Sequence, residues 1–246
     1  MTELVFIDAK WDGKIELTEK LKEYLKKHKT KSLALFASTQ FTDLDEFINQ
    51  LEILEIKVNT TKAKRTSDKI QILGCDCYSN SFENSIIEES DLILYIGDGL
   101  FHPKALLLAQ AKTQRIKPVT TFNPMSNSIE ELDKDSIENQ ITRMKRNLKM
   151  YVNSTTIGIL VTIKPGQQYF NSAKKLKEQL EKEGKKAYIF IGNSLDLNDL
   201  ENYTFIQSWV NTACPRIGTD DIVNTDKPII NLHEAFNPTK ALEEFG

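Results

Sequence analysis

Short, almost wholly apolar segments that alternate with amphipathic helical segments are the feature that most constrains the fold of this chain. Residues 32–37, 91–96 and 156–162 are runs of this kind, and they lack the polar alternation of a strand with one face in water. Such runs are typical of strands buried on both faces of a parallel sheet. Residues 14–27 instead place apolar side chains near helical spacing, with lysines and glutamates between them. Strands and helices in alternation predict parallel sheets with helices on both faces.

The same patterns divide the chain into two α/β domains. A long, charged helix predicted at residues 129–150 separates them, so the first domain is expected at 1–128 and the second at 129–246. The other predicted strands are 4–7, 56–58, 70–73, 118–122, 187–191, 205–210 and 228–231. The other predicted helices are 44–54, 104–113 and 172–183, the last with Gly184 as its C-terminal cap. The predicted fold class is α/β, with two consecutive domains of mainly parallel sheet flanked by helices.

Composition argues against several classes of protein. Of the 246 residues, 40% are hydrophobic and 27% are charged, with a formal net charge of −3, which does not suit a basic nucleic-acid-binding surface. No apolar run approaches the roughly 18–20 residues of a membrane helix. Residues 1–7 lack the basic start and the long apolar core of a signal peptide. We therefore expect a cytoplasmic protein that binds neither nucleic acid nor membranes.

Two of the three cysteines are expected where α/β sheets present functional groups. Cys214 ends an apolar run and precedes Pro215, which has no N–H to donate to a strand, so Cys214 is predicted at the carboxyl edge of a strand. Cys75 likewise ends the β-rich run 69–75. An odd number of cysteines in a reducing compartment favours free thiols or metal ligation. The sequence thus predicts a metal site with Cys75 and Cys214; inert buried cysteines are the alternative.

Two glycine-containing loops follow predicted strands. The first has Gly-Asp-Gly at residues 97–99, after the apolar run 91–96 and before a helix. Such a loop lets backbone N–H groups approach an anionic ligand, but a single Gly-x-Gly also forms an ordinary turn. The turn at residues 164–167 allows the same two interpretations. His102, in the first loop, is either close to a ligand or a structural imidazole beside Pro103.

Four short motifs occur in a fixed order along the chain. They are Ile72-Leu73-Gly74-Cys75, Tyr95-Ile96-Gly97-Asp98-Gly99-Leu100-Phe101-His102-Pro103, Thr162-Ile163-Lys164-Pro165-Gly166-Gln167 and Ala213-Cys214-Pro215-Arg216. Each motif alone is weak evidence, but together they resemble the diphthamide synthase family. The resemblance runs from about Leu4 to the C-terminus.

The resemblance implies the enzyme of the first step of diphthamide biosynthesis. Archaeal members of this family are homodimers whose chains have three similar α/β domains, and each domain gives one cysteine to a 4Fe–4S cluster. S-adenosylmethionine binds the open iron of the cluster. Its reductive cleavage yields a 3-amino-3-carboxypropyl radical, which attaches to a histidine of translation elongation factor 2. Eukaryotic members are heterodimers.

By this resemblance, the expected metal ligands are Cys75, which matches the family's second domain, and Cys214, which matches the third. Cys77 is a further candidate, because side chains at i and i+2 lie on one side of an extended segment. The chain starts where the family's second domain starts, so the first domain and its cysteine are expected to be absent. The residues expected to bind the cofactor are Gly97, Asp98, Gly99, His102, Lys164, Gly166, Gln167 and Arg216.

Two functions stay open, and neither assigns a catalytic residue. The chain is either a shortened synthase that uses its own or a shared cluster, or an auxiliary subunit that pairs with a full-length homologue. Three thiolates leave one iron site for S-adenosylmethionine, so the auxiliary function is favoured unless Cys77 supplies the third. A nucleotide-binding module without metal is disfavoured, because no Gly-x-Gly-x-x-Gly follows the first strand.

Overall fold

The computed structural model describes residues 10–74, 76–77, 81–113, 115–164, 166–219 and 227–245. The chain forms two compact units, Met1–Ile137 and Glu138–Gly246, and each has its own sheet. The sheets are mainly parallel and are flanked by helices, which confirms the predicted fold class. The strand predicted at residues 4–7 lies outside the described residues.

The first unit contains a five-stranded sheet. Its strands are β1 (Ser32–Ala37), β2 (Lys57–Asn59), β3 (Leu92–Ile96), β4 (Val119–Asn123) and β5 (Ser128–Leu132). Its helices in the described part of the chain are α1 (Glu19–Lys27), α2 (Asp45–Ile53), α3 (Ile86–Glu89) and α4 (Phe101–Ala109), with 3₁₀ turns at Thr39–Phe41 and Lys134–Ile137. The strand order is β2-β1-β3-β4-β5, and only the β4–β5 pair is antiparallel.

Apolar side chains on both faces of β1 and β3 build the core of this unit. Five of the six residues of β1 and all five of β3 are buried, as their near-continuous apolar runs predict. Helix α1 packs Leu21 and Leu25 into the same core. The Thr18 hydroxyl accepts the Leu21 N–H and fixes the start of α1 at Glu19, later than the predicted residue 14.

The helix predicted at residues 129–150 is wrong over its first part, because Ser128–Leu132 forms β5 and pairs antiparallel with β4. Two asparagines close this hairpin. The Asn123 side chain accepts a backbone N–H within the turn, and Asn127 has a φ of 49°, which asparagine tolerates better than most residues. Apolar residues in β5 are three positions apart, a spacing that also occurs in helices. The continuous helix is α5 (Glu138–Asn153), the first element of the second unit.

The segment predicted as a strand at residues 70–73 makes a single bridge in the described part of the chain. Gln71 pairs in parallel with Ala37, the last residue of β1. On its other side Ala37 pairs with β3. Gln71 therefore lies on the same side of β1 as β2, which pairs with the first residues of β1. The chain then leaves the sheet, because the Leu73 carbonyl accepts the Asp76 N–H at 2.9 Å in a turn.

The second unit contains a four-stranded, wholly parallel sheet. Its strands are β6 (Thr156–Thr162), β7 (Lys186–Gly192), β8 (Ser208–Asn211) and β9 (Ile229–Asn231), in the order β7-β6-β8-β9. After α5 come α6 (Phe170–Lys182), a 3₁₀ turn at Asn198–Asn202, α7 (Pro215–Thr219), α8 (Leu232–Ala235) and α9 (Pro238–Glu244). Gly184, just past α6, has a φ of 81°, which confirms the predicted cap.

Trp209 of β8 fills the centre of one hydrophobic cluster in this unit. Its side chain is fully buried, and its ring lies directly over Gly158 of β6, where an added Cβ would be 2.2 Å from the ring. Phe190 and Tyr203 meet the same ring edge-on, with centroids 4.9 and 5.9 Å away. The absence of a side chain at residue 158 therefore makes room for the indole.

The four parallel strands of each unit follow the same order, in which the first strand lies between the second and the third. The order therefore reverses between β1 and β3 in the first unit, and between β6 and β8 in the second. Open parallel sheets bind ligands at such a reversal, outside the carboxyl ends of the strands. The loops that follow these four strands are accordingly where a functional site is expected.

Candidate functional site

In the first unit, the loop of residues 97–100 connects β3 to α4. The Gly97 N–H donates to the Phe122 carbonyl at 3.0 Å, so the loop starts from a fixed point on the sheet. An added Cβ at Gly97 would lie 2.6 Å from the Tyr95 hydroxyl oxygen, which explains why this position lacks a side chain. Gly99 has a φ of 68°, which favours glycine, and Asp98 is exposed.

Tyr95 and His102 form a hydrogen-bonded pair beneath this loop. The Tyr95 hydroxyl and His102 Nδ1 are 3.1 Å apart, and the two rings stack with centroids 5.9 Å apart. Tyr95 is fully buried, and burial raises the pKa of its phenol to about 12, with the carboxylate of Asp98 acting in the same direction. The phenol is therefore neutral at physiological pH and fixes the His102 ring from one side.

The Gly-Cys motif lies against the same loop. The ring of Phe101, the first residue of α4, lies where a Cβ of Gly74 would be, at 2.4 Å, so two of the four sequence motifs are neighbours in space. Cys77 is fully buried, and its thiol donates to the Gly74 carbonyl at 3.5 Å. Asp76 is buried as well, and its Oδ2 accepts the Arg65 N–H at 2.6 Å. Cys75 lies outside the described residues.

Ser38 is a residue of this region that the sequence patterns did not single out. It directly follows β1, and its N–H donates to the Ile96 carbonyl at 3.0 Å, at the order reversal of the sheet. Its side chain is buried, and its Oγ has no hydrogen-bond partner of normal geometry among the described residues. It is nevertheless close enough to Tyr95 to act against the rise in that phenol's pKa. A serine at the carboxyl end of a central strand was the available signal.

In the second unit, the loop after β6 forms the predicted turn. The Gln167 N–H donates to the Lys164 carbonyl at 3.1 Å, and Gly166 has a φ of 74° at the position where a type II turn needs glycine. The Thr162 hydroxyl accepts the Lys164 N–H at 3.2 Å and so ties the turn to the end of the strand. Lys164 and Gly166 are exposed, and Gln167 is half-buried.

A cavity of about 360 Å³ lies immediately after this turn, at the start of α6. It is lined by Gln168, Tyr169, Phe170, Asn171 and Ser172. In the described part of the chain, the side chain of the N-cap residue Tyr169 does not accept an N–H from the first turn of α6. Backbone N–H groups at such a start attract negatively charged groups.

Cys214 lies on the loop after β8. It immediately precedes α7, and its carbonyl accepts the Ile217 N–H at 3.0 Å and the Asn211 Nδ2 at 2.7 Å. The Cys214 side chain is half-buried, whereas that of Arg216 is only 4% exposed. A role in a surface salt bridge therefore does not suit the buried side chain of Arg216.

The structure thus groups the predicted site residues within each unit. Gly97 and Gly99 lie in the loop before α4, His102 lies in the first turn of α4, and the Gly74 motif lies beside them. The 164–167 turn and the Cys214 loop follow the neighbouring strands β6 and β8. Within the described residues, no three His, Cys, Asp or Glu side chains are grouped as a complete protein metal site requires. No helix in that part of the chain is long and apolar enough to cross a membrane.

Fold and site together define a protein of doubly wound α/β units whose candidate ligand-binding loops meet at the order reversal of each sheet. A family model described as "Putative diphthamide synthesis protein" matches residues 2–244. The chain belongs to this diphthamide synthesis family.

Similar proteins include 2-(3-amino-3-carboxypropyl)histidine synthases. The synthase of Pyrococcus horikoshii is 26% identical over 226 residues, which cover 90% of this chain and 62% of that protein. The synthase of Methanocaldococcus jannaschii is 26% identical over 230 residues, covering 91% of this chain and 57% of that protein. Subunit 1 of the Yarrowia lipolytica synthase is 26% identical over 200 residues, covering 81% and 42%.

A crystal structure of Dph2 from Pyrococcus horikoshii with a 4Fe–4S cluster has the same fold. It superposes with a TM-score of 0.73 at 25% identity, covering 94% of this chain and 64% of that chain. The chain spans about 60% of the length of the archaeal synthases that it matches.

Proposed function

We propose that this protein acts in the first step of diphthamide biosynthesis. The step transfers a 3-amino-3-carboxypropyl group from S-adenosylmethionine to a histidine of translation elongation factor 2. The observation that carries the proposal is the presentation of Cys214, half-buried on a fixed loop at the carboxyl end of a central strand, in a chain similar to synthases of this name. We also propose a cytoplasmic protein that works as a homodimer or as a heterodimer with a full-length homologue.

The donor chemistry of the described residues fits one thiolate ligand of a 4Fe–4S cluster in the second unit. Cysteine thiolates are the usual ligands of such clusters, and Cys214 is partly accessible while its backbone is held. Cys77 is completely buried and hydrogen-bonded, so it does not fit a ligand role without rearrangement. We therefore propose Cys75 and Cys214 as ligands, with a third thiolate from outside these two units.

When bound, such a cluster supplies the electron and the iron coordination that cleave S-adenosylmethionine reductively. The residues of this chain bind and orient S-adenosylmethionine. Asp98 and Gly99 are exposed, and Gly99 has no side chain to cover its backbone, which suits a carboxylate. Gly97 is buried with its N–H bonded to the Phe122 carbonyl, so it fixes the base of this loop. Tyr95 holds the His102 ring toward this loop.

In the second unit, the exposed Lys164 and Gly166 and the half-buried Gln167 offer donors to the amino-acid part of the cofactor. The buried Arg216 lies two residues after Cys214, in the first turn of α7, and a guanidinium there favours the negative charge of cluster thiolates.

A second function, that of an auxiliary subunit, is favoured by the burial of Cys77. With Cys77 in the interior, the chain offers two candidate thiolates, whereas three ligands hold a cluster that keeps one iron open. The third thiolate then comes from a partner or from a further segment of the same polypeptide. In both cases Cys214 is a ligand.

Anaerobic reconstitution with iron and sulfide, followed by metal analysis and absorption spectroscopy, tests the proposal. We expect less than one cluster per chain for the isolated protein, and an increase on co-reconstitution with a full-length homologue. Cys214→Ser should abolish that increase, while Cys77→Ala, the matched control for loss of a thiol, should leave it unchanged. A full cluster on the isolated chain that survives Cys214→Ser would refute the assignment of Cys214.

The two functions are separated by an assay of the assembled protein. Transfer of the labelled aminocarboxypropyl group from S-adenosylmethionine to purified elongation factor 2 is measured with the chain alone, with the homologue alone and with both. Activity of the chain alone supports an enzyme. Activity only with the homologue, raised by adding this chain, supports an auxiliary subunit. No effect of the chain in any mixture contradicts both.

A further inference from the structure

Two buried asparagines lie side by side at the carboxyl ends of neighbouring strands in the second unit. Asn211 ends β8 and Asn231 ends β9, and the two residues are paired in the register of these strands. They are 1% and 4% exposed, and the Asn211 Nδ2 donates to the Asn231 Oδ1 at 2.9 Å. Polar groups buried this deeply are retained only where their hydrogen bonds are made.

Asn211 contacts the backbone on both sides of Cys214. Its Oδ1 accepts the Ala213 N–H at 3.0 Å, and its Nδ2 donates to the Cys214 carbonyl at 2.7 Å. The Asn211 side chain therefore fixes the peptide N–H of Ala213, before Cys214, and the peptide carbonyl of Cys214 itself. With the backbone held in this way, the direction of the Cys214 side chain depends mainly on rotation about its own Cα–Cβ bond.

Asn231 holds the next peptide group. Its Nδ2 donates to the Pro215 carbonyl at 3.0 Å, and its own N–H donates to the buried carboxylate of Glu234 at 3.2 Å. A Cβ at Gly218 of α7 would lie 2.9 Å from the Asn231 Oδ1, so the glycine lets α7 approach the amide. The two asparagines together fix the carbonyls of Cys214 and Pro215.

We propose that Asn211 and Asn231 are positioning residues for Cys214, and that they set the direction in which its thiol is presented. The use of that thiol as a cluster ligand rests on the proposed function, but the positioning does not. Neither asparagine was singled out in the sequence, because the residues are twenty apart in the chain and meet only through the pairing of β8 with β9.

The isosteric change Asn211→Asp tests this proposal, since it replaces the amide NH₂ with oxygen and removes both donated hydrogen bonds. The matched control is Asn147→Asp. Asn147 of α5 is also buried, in the same unit, and its Nδ2 donates to the carbonyl of Ile229 at the opposite, amino end of β9. Both variants lose a buried donor, so both are expected to lower stability.

The readout is the rate of alkylation of Cys214 by iodoacetamide in the folded 246-residue chain, measured by mass spectrometry of the peptide that contains it. Peptide-level measurement separates Cys214 from Cys75 and Cys77 without further substitutions. Loss of buried hydrogen bonds shifts a local equilibrium by about tenfold, so we expect the Cys214 rate to rise about tenfold in Asn211→Asp. The rate in Asn147→Asp should stay within about twofold of the wild type.

Urea unfolding of both variants shows whether their losses of stability are comparable. Equal Cys214 rates in the two variants, at comparable stability, would overturn the positioning role. If Asn211→Asp does not fold, Asn231→Asp replaces it, since this change keeps the acceptor for Asn211 and removes only the donor to Pro215, and a smaller rise in rate is expected. A raised rate in a chain that never binds a cluster supports the positioning and contradicts the proposed function.

Discussion

Gly158→Ala is the substitution for which the structure gives the clearest expectation. An added Cβ would lie 2.2 and 2.3 Å from two atoms of the Trp209 ring, whereas ordinary contacts begin at about 3.4 Å. The indole must therefore retreat by at least about 1.2 Å. It is fully buried and Phe190 and Tyr203 pack against it, so its retreat must displace packed side chains.

Overpacking of a filled core costs about 1–3 kcal/mol, and a ring without a free side places the cost near the upper end. Replacement of glycine by alanine inside a strand recovers about 0.5–1 kcal/mol of backbone entropy. We expect a net loss of about 2 kcal/mol in the free energy of unfolding of the second unit, measured in urea by far-UV circular dichroism.

A double-mutant cycle with Trp209→Leu tests the cause of this loss. The smaller side chain makes room for the new methyl group, so Gly158→Ala should cost less than about 1 kcal/mol in that background. Additive costs, or a loss below about 0.3 kcal/mol for Gly158→Ala alone, would refute the steric argument. The protein has two tryptophans, and a Trp11→Phe background makes fluorescence report on Trp209 alone.

Two further predictions concern the first unit. Because burial raises the pKa of Tyr95 to about 12, its contribution to stability is complete below pH 10 and is lost from pH 10 to 12. Tyr95→Phe should remove about 1 kcal/mol of the decrease between pH 10 and 11, measured by urea unfolding; an unchanged slope contradicts this. Lys117 Nζ donates to the carbonyls of residues 87, 88 and 90 at 2.7–2.9 Å. Lys117→Met should therefore lower the free energy of unfolding in urea by about 2 kcal/mol. A loss below about 0.5 kcal/mol would show that these hydrogen bonds stabilise the unit little.

The sequence predicted the fold correctly where a residue pattern was compatible with only one type of secondary structure. The continuous apolar runs at 91–96 and 156–162 correspond to strands buried in the sheets, because only interior strands of parallel sheets need apolar side chains on both faces. The strand at 128–132 was missed, because its apolar side chains at helical spacing favour the long helix predicted at 129–150, whereas the pairing with β4, a tertiary contact, makes it a strand.

The candidate site was predictable in its loops but not in its supporting contacts. Glycine motifs identified the turn at 164–167, since a positive φ at Gly166 is a local requirement. The burial of Cys77 and Arg216 and the Asn211–Asn231 pair depend on which segments become neighbours. Local sequence carries no information on those neighbours, so interior and exposed positions of these residues could not be told apart.

Each unit has its own sheet and its own hydrophobic cluster, and this has a consequence for cooperativity. Two compact bodies in one polypeptide need not lose their structure together, and a denaturation curve then contains two steps with separate midpoints. When the units unfold independently, a substitution in one unit shifts one step and leaves the other in place. The unshifted step is then an internal reference within the same molecule, against which even small effects of a single residue are measurable.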